Sequence, residues 1–436
     1  MKYLLLSVAP AAMLLAMPAA AATVCPTVGS VTTCTGDNLG EVKFGKTVGG
    51  QTVIVTAGAT LTNTADDAVR MRGTGNTLIN NGTINGAYDQ ADGGSDGVDG
   101  GANLTVINTG TITATNKGVD AEALNGLTVL NSGTISAYDK AIRNQNGNNA
   151  VLVNSGLIQS ATDEGFESGN DAQINNSGTI VAGDDAVQVA QNGQIVNSGT
   201  IRNVISDPAN LQDAIDIDSG LIINTGAIIA EGSAGIDFDA NVDNDDDPET
   251  TPNAAGIVVN AGLIQGAEAA IESDPRAMGV QTIYNSGSLV GTQGTALMLW
   301  GGDDALILQA GGSITGDSFF GTGADQLVFE ATFAGESFGL FDGGLDADTD
   351  TVSFADYLFS DLTSLTLLDD VFSLTFSDAF SLSLTNWDLF TFADARYDHA
   401  QFAAAATTPA PVPLPAAGWL MLAGLGGIAA LRRRKA

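Results

Sequence analysis

One pattern of apolar and polar residues recurs along most of the chain. It consists of one or two aliphatic residues, then Asn-x-Gly, then a small residue followed by Ile or Leu. The glycines of the nine clear copies are Gly82, Gly110, Gly133, Gly156, Gly178, Gly199, Gly226, Gly262 and Gly287. The compact copies have a period of about 22 residues, and the others contain insertions. A fixed period of this length predicts stacked structural repeats.

A second motif keeps phase with the first and consists of a small residue followed by a hydrophobic one. Its copies include Ala68-Val69, Gly118-Val119, Ala141-Ile142, Ala186-Val187, Ala214-Ile215 and Gly235-Ile236. Each repeat therefore has at least two short strands at fixed places, and the insertions fall between them. Helical repeats are disfavoured because the motif is rich in glycine and β-branched residues and no 3.6-residue apolar spacing persists. The pattern predicts an all-β fold, a right-handed parallel β-helix of about 22 residues per turn.

The repeated Asn and Gly have a predicted role at the corners of this helix. The glycine is expected to supply a positive φ at a tight corner. The asparagines of successive turns are expected to hydrogen-bond through their side-chain amides as a ladder. Because stacked strands are about 4.8 Å apart, the Ile, Leu and Val positions are expected to form continuous apolar columns inside.

The first residues indicate export. Lys2 precedes an apolar run over residues 4–17, and small residues lead to a predicted cleavage after Ala22, as in a secretory signal peptide. Cys25 and Cys34 follow closely. In an oxidising compartment such a pair favours a disulfide over a metal site, which would need more Cys or His ligands.

The last residues predict a membrane segment. Residues 412–431 form an uncharged stretch of 20 residues, and the basic cluster 432–435 follows it. This length is about the minimum for a spanning helix, and the basic end is expected to stay cytoplasmic.

The tail also resembles a known sorting signal. It combines an apolar, glycine-rich stretch and a basic end with the motif Val412-Pro413-Leu414-Pro415-Ala416. These parts, in this order, resemble the VPLPA-CTERM variant of the PEP-CTERM sorting signals of Gram-negative bacteria. The resemblance implies an exosortase-type membrane protease as partner, cutting near the motif. The body would be held transiently at the inner membrane, then reach the cell surface, the outer envelope or the medium. An ordinary C-terminal anchor is the alternative.

The body resembles other exported proteins. Its repeats are similar to the β-helical passenger regions of autotransporters. Residues 301–306 and 321–327 partly resemble RTX calcium repeats, but consecutive copies are not nine residues apart, which argues against stacked calcium sites there. The predicted organisation is a signal peptide at 1–22, an N-terminal cap with the disulfide at 23–50, the β-helix at 51–330, a β-rich C-terminal cap at 331–405, and a linker with the sorting tail at 406–436.

The charge balance limits the partners. The chain has 15 Lys and Arg against 50 Asp and Glu, a net charge of −35. The charge balance therefore disfavours nucleic acid as a partner, because its binding depends on basic side chains that neutralise phosphates. A surplus of carboxylates favours high ionic strength or divalent cations, both of which reduce self-repulsion.

Acidic residues occupy the same position in three successive turns and are predicted to form two columns on one face. They are Asp216, Asp218, Asp237, Asp239, Glu272 and Asp274. Neighbouring carboxylates at this spacing repel, and three interpretations stay open: a solvated face, a divalent-cation site with calcium as the candidate ion, or an active site. In the last case Asp216, Asp218, Asp237 and Asp239 would act as paired acids. Basic partners for such chemistry are scarce, and the single histidine, His399, lies in the presumed linker.

The sequence thus favours a non-enzymatic structural or adhesive protein of the cell surface or extracellular matrix. Its regular face would bind a polysaccharide, a surface or a second copy of the chain. The alternative is a β-helix polysaccharide lyase or glycoside hydrolase that acts on acidic glycans.

Overall fold

A computed structural model describes residues 25–87, 94–121, 124–239, 255–274 and 279–406. Parallel coils stack into a β-solenoid of about 12 turns with about 24 residues per turn, and only 3% of the chain is helical. The predicted parallel β-helix is confirmed. The average turn is longer than the predicted 22 residues because some turns carry longer loops. The chain divides into an N-terminal unit, which ends at Gly220 but includes Gly226–Ser233, and a C-terminal unit, which comprises Leu221–Thr225 and the residues from Ala234 onward.

Each complete coil of the N-terminal unit has three short strands, here called the first, second and third strand. The first strands are Val31–Cys34, Thr52–Val55, Thr77–Asn80, Thr105–Asn108, Thr128–Asn131, Val151–Asn154, Gln173–Asn176 and Gly193–Asn197. The second strands are Asp37–Leu39, Thr60–Asn63, Thr83–Gly86, Thr111–Ala114, Thr134–Ala137, Leu157–Ser160, Thr179–Ala182, Thr200–Asn203 and Ala227–Ala230. The third strands are Val42–Phe44, Val69–Met71, Val98–Gly100, Val119–Asp120, Ile142–Asn144, Phe166–Ser168, Val187–Val189 and Ile215–Ile217.

The interior of the N-terminal unit consists of apolar columns. The second-strand column is Leu61, Ile84, Ile112, Ile135, Ile158, Ile180 and Ile201, paired in parallel register and buried. Each such side chain contributes about 1.5–3 kcal/mol by leaving water. Because the strand period is two, the residues that alternate with this column face outward.

The asparagines at the ends of the first strands form the predicted ladder. In the N-terminal unit the amide nitrogen of each donates to the amide oxygen of the next at 2.8 Å, through Asn80, Asn108, Asn131, Asn154, Asn176 and Asn197. In the C-terminal unit Asn224, Asn260 and Asn285 repeat the arrangement at 2.9 and 2.8 Å. All of these side chains are buried. The ladder therefore satisfies polar groups that would otherwise destabilise the core.

The glycine of the Asn-x-Gly motif has a different role from the predicted one. The backbone at Gly133, Gly156, Gly178 and Gly199 does not lie in the left-handed region, so the expected positive φ is wrong. A Cβ atom at Gly156 would instead lie 2.1 Å from the carbonyl oxygen of Gly133 in the preceding coil. Glycine is needed because successive corners stack too closely for any side chain.

Gly156→Ala is expected to lower the free energy of unfolding by about 1–3 kcal/mol, because the backbone must move to relieve the clash. Gly45→Ala is the control, since a Cβ there would meet only Val48 Cγ2 at 4.0 Å. Urea denaturation of both variants checks this. Equal midpoints for the two variants would show that the corner has room for a methyl group.

The C-terminal unit continues with the same kind of coil and then changes. Its first strands are Gly220–Asn224, Gly256–Asn260, Gln281–Asn285, Ala305–Leu308, Gln326–Phe329, Thr351–Phe354 and Leu389–Phe392. Gly220 itself is the last residue of the N-terminal unit before Leu221. The strands opposite are Ile236–Phe238, Leu263–Gly266, Ile271–Ser273, Ser288–Met298, Ser313–Phe319 and Ser337–Asp342. Parallel pairing therefore extends beyond residue 330, since Phe329 pairs with Phe354 and Phe354 with Phe392.

The end of the described chain closes the C-terminal unit with aromatic residues. Antiparallel strands Leu362–Leu368, Val371–Phe376 and Ser381–Thr385 lie here, followed by Arg396–Asp398 and the helix His399–Ala405; a short 3₁₀ turn spans Phe359–Asp361. Asp398 caps the helix, and Phe402 is buried against Phe390 at a ring-centroid distance of 4.0 Å. His399 is the first residue of this helix, which corrects its predicted place in a linker.

Of the predictions about the ends of the chain, the structure describes the disulfide. Cys25 and Cys34 form it, with their Cα atoms 4.6 Å apart. The signal peptide, the sorting motif and the predicted spanning segment at 412–431 lie outside the described residues. Among the residues that the structure does describe, no helix is both long enough and apolar enough to cross a bilayer.

Candidate functional site

Ionisable side chains line the third strands of the N-terminal unit, and the outward surface of these strands is here called the third-strand face. The second residues of these strands stack in register as Lys43, Arg70, Asp99, Asp120, Arg143, Glu167, Gln188 and Asp216. Neighbours in such a column are about 4.8 Å apart, so each charge interacts strongly with the next.

Arg70 is the centre of the first cluster on this face. Its guanidinium lies 3.2 Å from Glu41, 2.6 Å from Asp67 and 3.3 Å from Asp99, and it also pairs with Asp66. Burial opposes the charge of Arg70, but the carboxylates raise its pKa above the ordinary value. Glu41, Asp66 and Asp67 are close enough together to hold a metal ion. Because Arg70 contacts all three, the cluster already contains its own cation.

Lys140 is the centre of a second cluster. Its Nζ lies 2.7 Å from Glu164, 2.8 Å from Glu167 and 3.5 Å from Asp163. Burial lowers the pKa of Lys140, but the charges of Glu164 and Glu167 outweigh it, so the net shift is upward. Neither cluster was predicted from the sequence. Arg70 directly follows one copy of the small-hydrophobic motif and Lys140 directly precedes another, so the motif phase places both beside a third strand.

The last coils of the N-terminal unit are acidic on this face, and two of the predicted site residues lie there. Asp216 and Asp218 are each 9% exposed, so a fully solvated face does not describe them. Gln188 donates to Asp216 at 3.2 Å, and the backbone N–H of Asp213 donates to Asp185 at 2.8 Å. Burial, followed by the charges of Asp216 and Asp213, raises the pKa of Asp185 well above its ordinary value.

The other four predicted residues lie in the C-terminal unit. Asp237 and Glu272 pair in register on adjacent strands, as expected for one column, and all four side chains are partly buried. Burial and then the charge of Glu268 raise the pKa of Glu272, while a hydrogen bond from the Trp300 side chain lowers it. The next positions of this column are Met298, Phe319, Asp342 and Thr385. Two apolar side chains, Met298 and Phe319, therefore separate Glu272 from the next acid of this column, Asp342.

A ladder of buried aspartates in the C-terminal unit was not predicted. Asp304, Asp325 and Asp350 each accept a backbone N–H from the preceding coil, at 2.6, 2.8 and 2.9 Å. Asp388 accepts the N–H of Asp350 at 3.2 Å. Burial raises the pKa of Asp304 to about 8 and those of Asp325 and Asp350 to about 7. In the segments that partly resemble calcium repeats, Asp304 and Asp325 therefore accept hydrogen bonds from the backbone of a neighbouring coil.

Acidic and basic groups also meet around a cavity in the N-terminal unit. This cavity has a volume of about 330 Å³ and is lined by Lys46, Arg72, Asp99 and Asp120. Arg72 donates from Nε and Nη2 to the Asp99 carboxylate. The acids here differ from those predicted for an enzyme, and the Asp99 carboxylate is already held by Arg72 and Arg70.

The chain is therefore a parallel β-solenoid. The third-strand face of its N-terminal unit carries internal ion pairs and buried acids. No protein-family model, no curated protein and no solved structure matches this chain.

Proposed function

We propose that this chain is an exported structural or adhesive protein of the cell surface or extracellular matrix, presented by its C-terminal sorting tail. The observation that carries the proposal is the repeated coil. Within each unit, equivalent outward residues lie in register on successive coils, for example Thr105 beside Thr128 and Ile107 beside Leu130. A surface with one fixed spacing suits the binding of a polymer or a surface, which also repeat.

The surplus of carboxylates supports a role for extracellular cations, which would reduce the repulsion between them. Carboxylates on the third-strand face of the N-terminal unit are neutralised by Arg70 and Lys140 in its earlier coils. Asp185, Asp216 and Asp218 lie in later coils and are buried. Calcium binding by Asp216 and Asp218, and by Asp237, Asp239, Glu272 and Asp274, stays a prediction.

A second candidate is a polysaccharide lyase or glycoside hydrolase that acts on acidic glycans. The cavity beside Asp99 and Asp120 favours it, because Lys46 and Arg72 provide positive charge for a uronate. The ion pairs of Asp99 with Arg72 and Arg70 disfavour it, because they occupy the carboxylate that would have to reach the substrate. Depolymerisation of alginate or pectate by the purified chain, lost in Asp120→Asn, would favour the enzyme over the adhesive protein.

The intact mass and location of the protein in its native host test the main proposal. We expect a mass that ends near Pro413, with the protein on the surface or in the medium. The matched control replaces both prolines of the motif, Pro413→Ala with Pro415→Ala, and is expected to keep the full tail and stay in the inner membrane. A full tail on the unaltered protein would contradict sorting and leave an ordinary anchor.

A further inference from the structure

A pocket with a volume of about 450 Å³ lies in the C-terminal unit and belongs to none of the charged clusters. Met298 and Phe319, which pair in register, form part of its wall, and Asp342 occupies the next position of the same column. Trp300 is 43% exposed, and Leu345 is 86% exposed at the pocket. The pocket therefore presents large apolar side chains to solvent where soluble proteins usually bury them.

The backbone holds this wall in place. Thr322 donates its N–H to the Trp300 carbonyl at 3.0 Å, and Gly302 donates to the Thr322 carbonyl at 2.8 Å. Gly321 has a φ of +96°, and a Cβ atom there would lie 2.1 Å from the Trp300 carbonyl oxygen. The backbone that carries Trp300 is thus fixed before any ligand arrives, which reduces the entropy lost on binding.

The polar groups of the pocket indicate the ligand. The Asp342 carboxylate accepts a hydrogen bond from the Asn386 amide at 2.7 Å and from the Gly344 N–H at 3.1 Å. Thr322 adds an exposed hydroxyl. Among the residues that the structure describes, those that line the pocket include no Lys, Arg or His, so an anionic ligand such as a uronate would meet the negative charge of Asp342. A wholly apolar ligand would leave the carboxylate, amide and hydroxyl without water.

We propose that this Trp300 pocket binds a neutral sugar ring of a polysaccharide. One face of a pyranose is lined by C–H groups and packs on an aromatic side chain, while its hydroxyls exchange hydrogen bonds with carboxylates and amides. Trp300 provides the first kind of contact, and Asp342 and Asn386 provide the second. The inference rests on the proposed adhesive function and names the class of ligand, and it differs from the acidic-glycan enzyme in both place and ligand charge.

Calorimetric titration of the full chain with a panel of neutral gluco-, manno- and galacto-oligosaccharides tests the inference. We expect saturable binding of at least one member and an affinity reduced at least tenfold in Trp300→Ala. Leu345→Asp is a second variant that keeps the fold, because Leu345 is largely in solvent, and it is also expected to weaken binding. Tyr284→Ala is the control, since this exposed aromatic side chain lies outside the pocket and its loss should leave the affinity unchanged.

Other outcomes would overturn the inference. They are no binding across the panel at millimolar concentration, equal binding by the unaltered chain and Trp300→Ala, or preference for a uronate oligomer or a tetraalkylammonium ion over every neutral sugar. Failure of this test is distinguishable from failure of the proposed function. A processed surface protein without sugar binding contradicts only the pocket, whereas sugar binding by a protein retained in the inner membrane contradicts only the surface role.

Discussion

Replacing Asn176 with alanine is expected to lower the free energy of unfolding by about 3–4 kcal/mol, because several buried polar groups lose their partners together. The Asn176 amide donates to Asn197 at 2.8 Å and to the Thr200 carbonyl at 3.1 Å, and it accepts from Asn154 at 2.8 Å. No water can reach this position without opening the coil, since Asn176 is 0% exposed.

The neighbouring residue is a matched control. Asn175 has the same side chain but faces outward and is exposed. Asn175→Ala is therefore expected to change the free energy of unfolding by no more than about 0.5 kcal/mol. The two variants differ by one position in the chain and by the face of the strand on which the amide lies.

Urea denaturation followed by far-ultraviolet circular dichroism measures both effects. The midpoints should be compared before free energies are extracted, because stacked repeats need not unfold in one step. If Asn176→Ala and Asn175→Ala have the same midpoint, the ladder does not contribute to stability beyond what water offers the amide. Asn176→Asp is a further probe, because a buried carboxylate cannot donate to Asn197 and should be at least as destabilising as alanine.

The parts of the fold that repeat could be predicted from the sequence. The Asn ladder and the apolar columns depend on one coil stacking on the next, so the period alone specified both. The role of Gly156 could not be predicted, because the contact with the Gly133 carbonyl depends on how closely two corners approach. A turn glycine and a steric glycine look the same in sequence.

The candidate site was less accessible to sequence reasoning. The alignment of Asp237 with Glu272 follows from the motif phase, and the two residues pair in register in the structure. The burial of Asp216 does not follow, because the motif phase gives its place on the strand and not what packs around its side chain. The Asp304 ladder was missed because its members were compared with a nine-residue repeat, whereas Asp304 and Asp325 are a full coil apart.

The C-terminal unit is expected to lose stability as the pH rises from 5 to 8. Burial raises the pKa of Asp304 from 3.8 to about 8, and the pKa values of Asp325 and Asp350 reach about 7. Between these values and 3.8 the folded state keeps a proton that the unfolded state has released. The contribution is therefore fully present at acidic pH and is lost as the pH rises through the folded pKa. For Asp304 the difference corresponds to about 5 kcal/mol at pH 8 as an upper limit.

Asp304→Asn separates this effect from general charge repulsion in a chain of net charge −35. The asparagine oxygen can still accept the Gln281 N–H, now 2.6 Å from Asp304 Oδ1, while its neutral amide matches the protonated acid in shape. We expect the variant to be more stable than the unaltered chain at pH 8, by a smaller margin at pH 5 and by none below pH 3.8, where Asp304 is protonated in the unfolded state as well. Asp369→Asn, at an exposed turn of the same unit, removes one charge without touching the ladder and should act equally at both pH values.

Thermal unfolding reported by fluorescence of Trp387, which is buried in the C-terminal unit, measures these differences at each pH. A gain for Asp304→Asn that is the same at pH 5 and pH 8 would contradict a protonated Asp304, because a proton held only by the folded state requires the gain to grow as the pH rises. A loss at pH 8 would show that the ionised carboxylate is stabilised there by a group that asparagine cannot bind, such as a cation. The pH profile of one isosteric variant therefore distinguishes a protonated ladder of hydrogen bonds from an ionised one that needs a counter-ion.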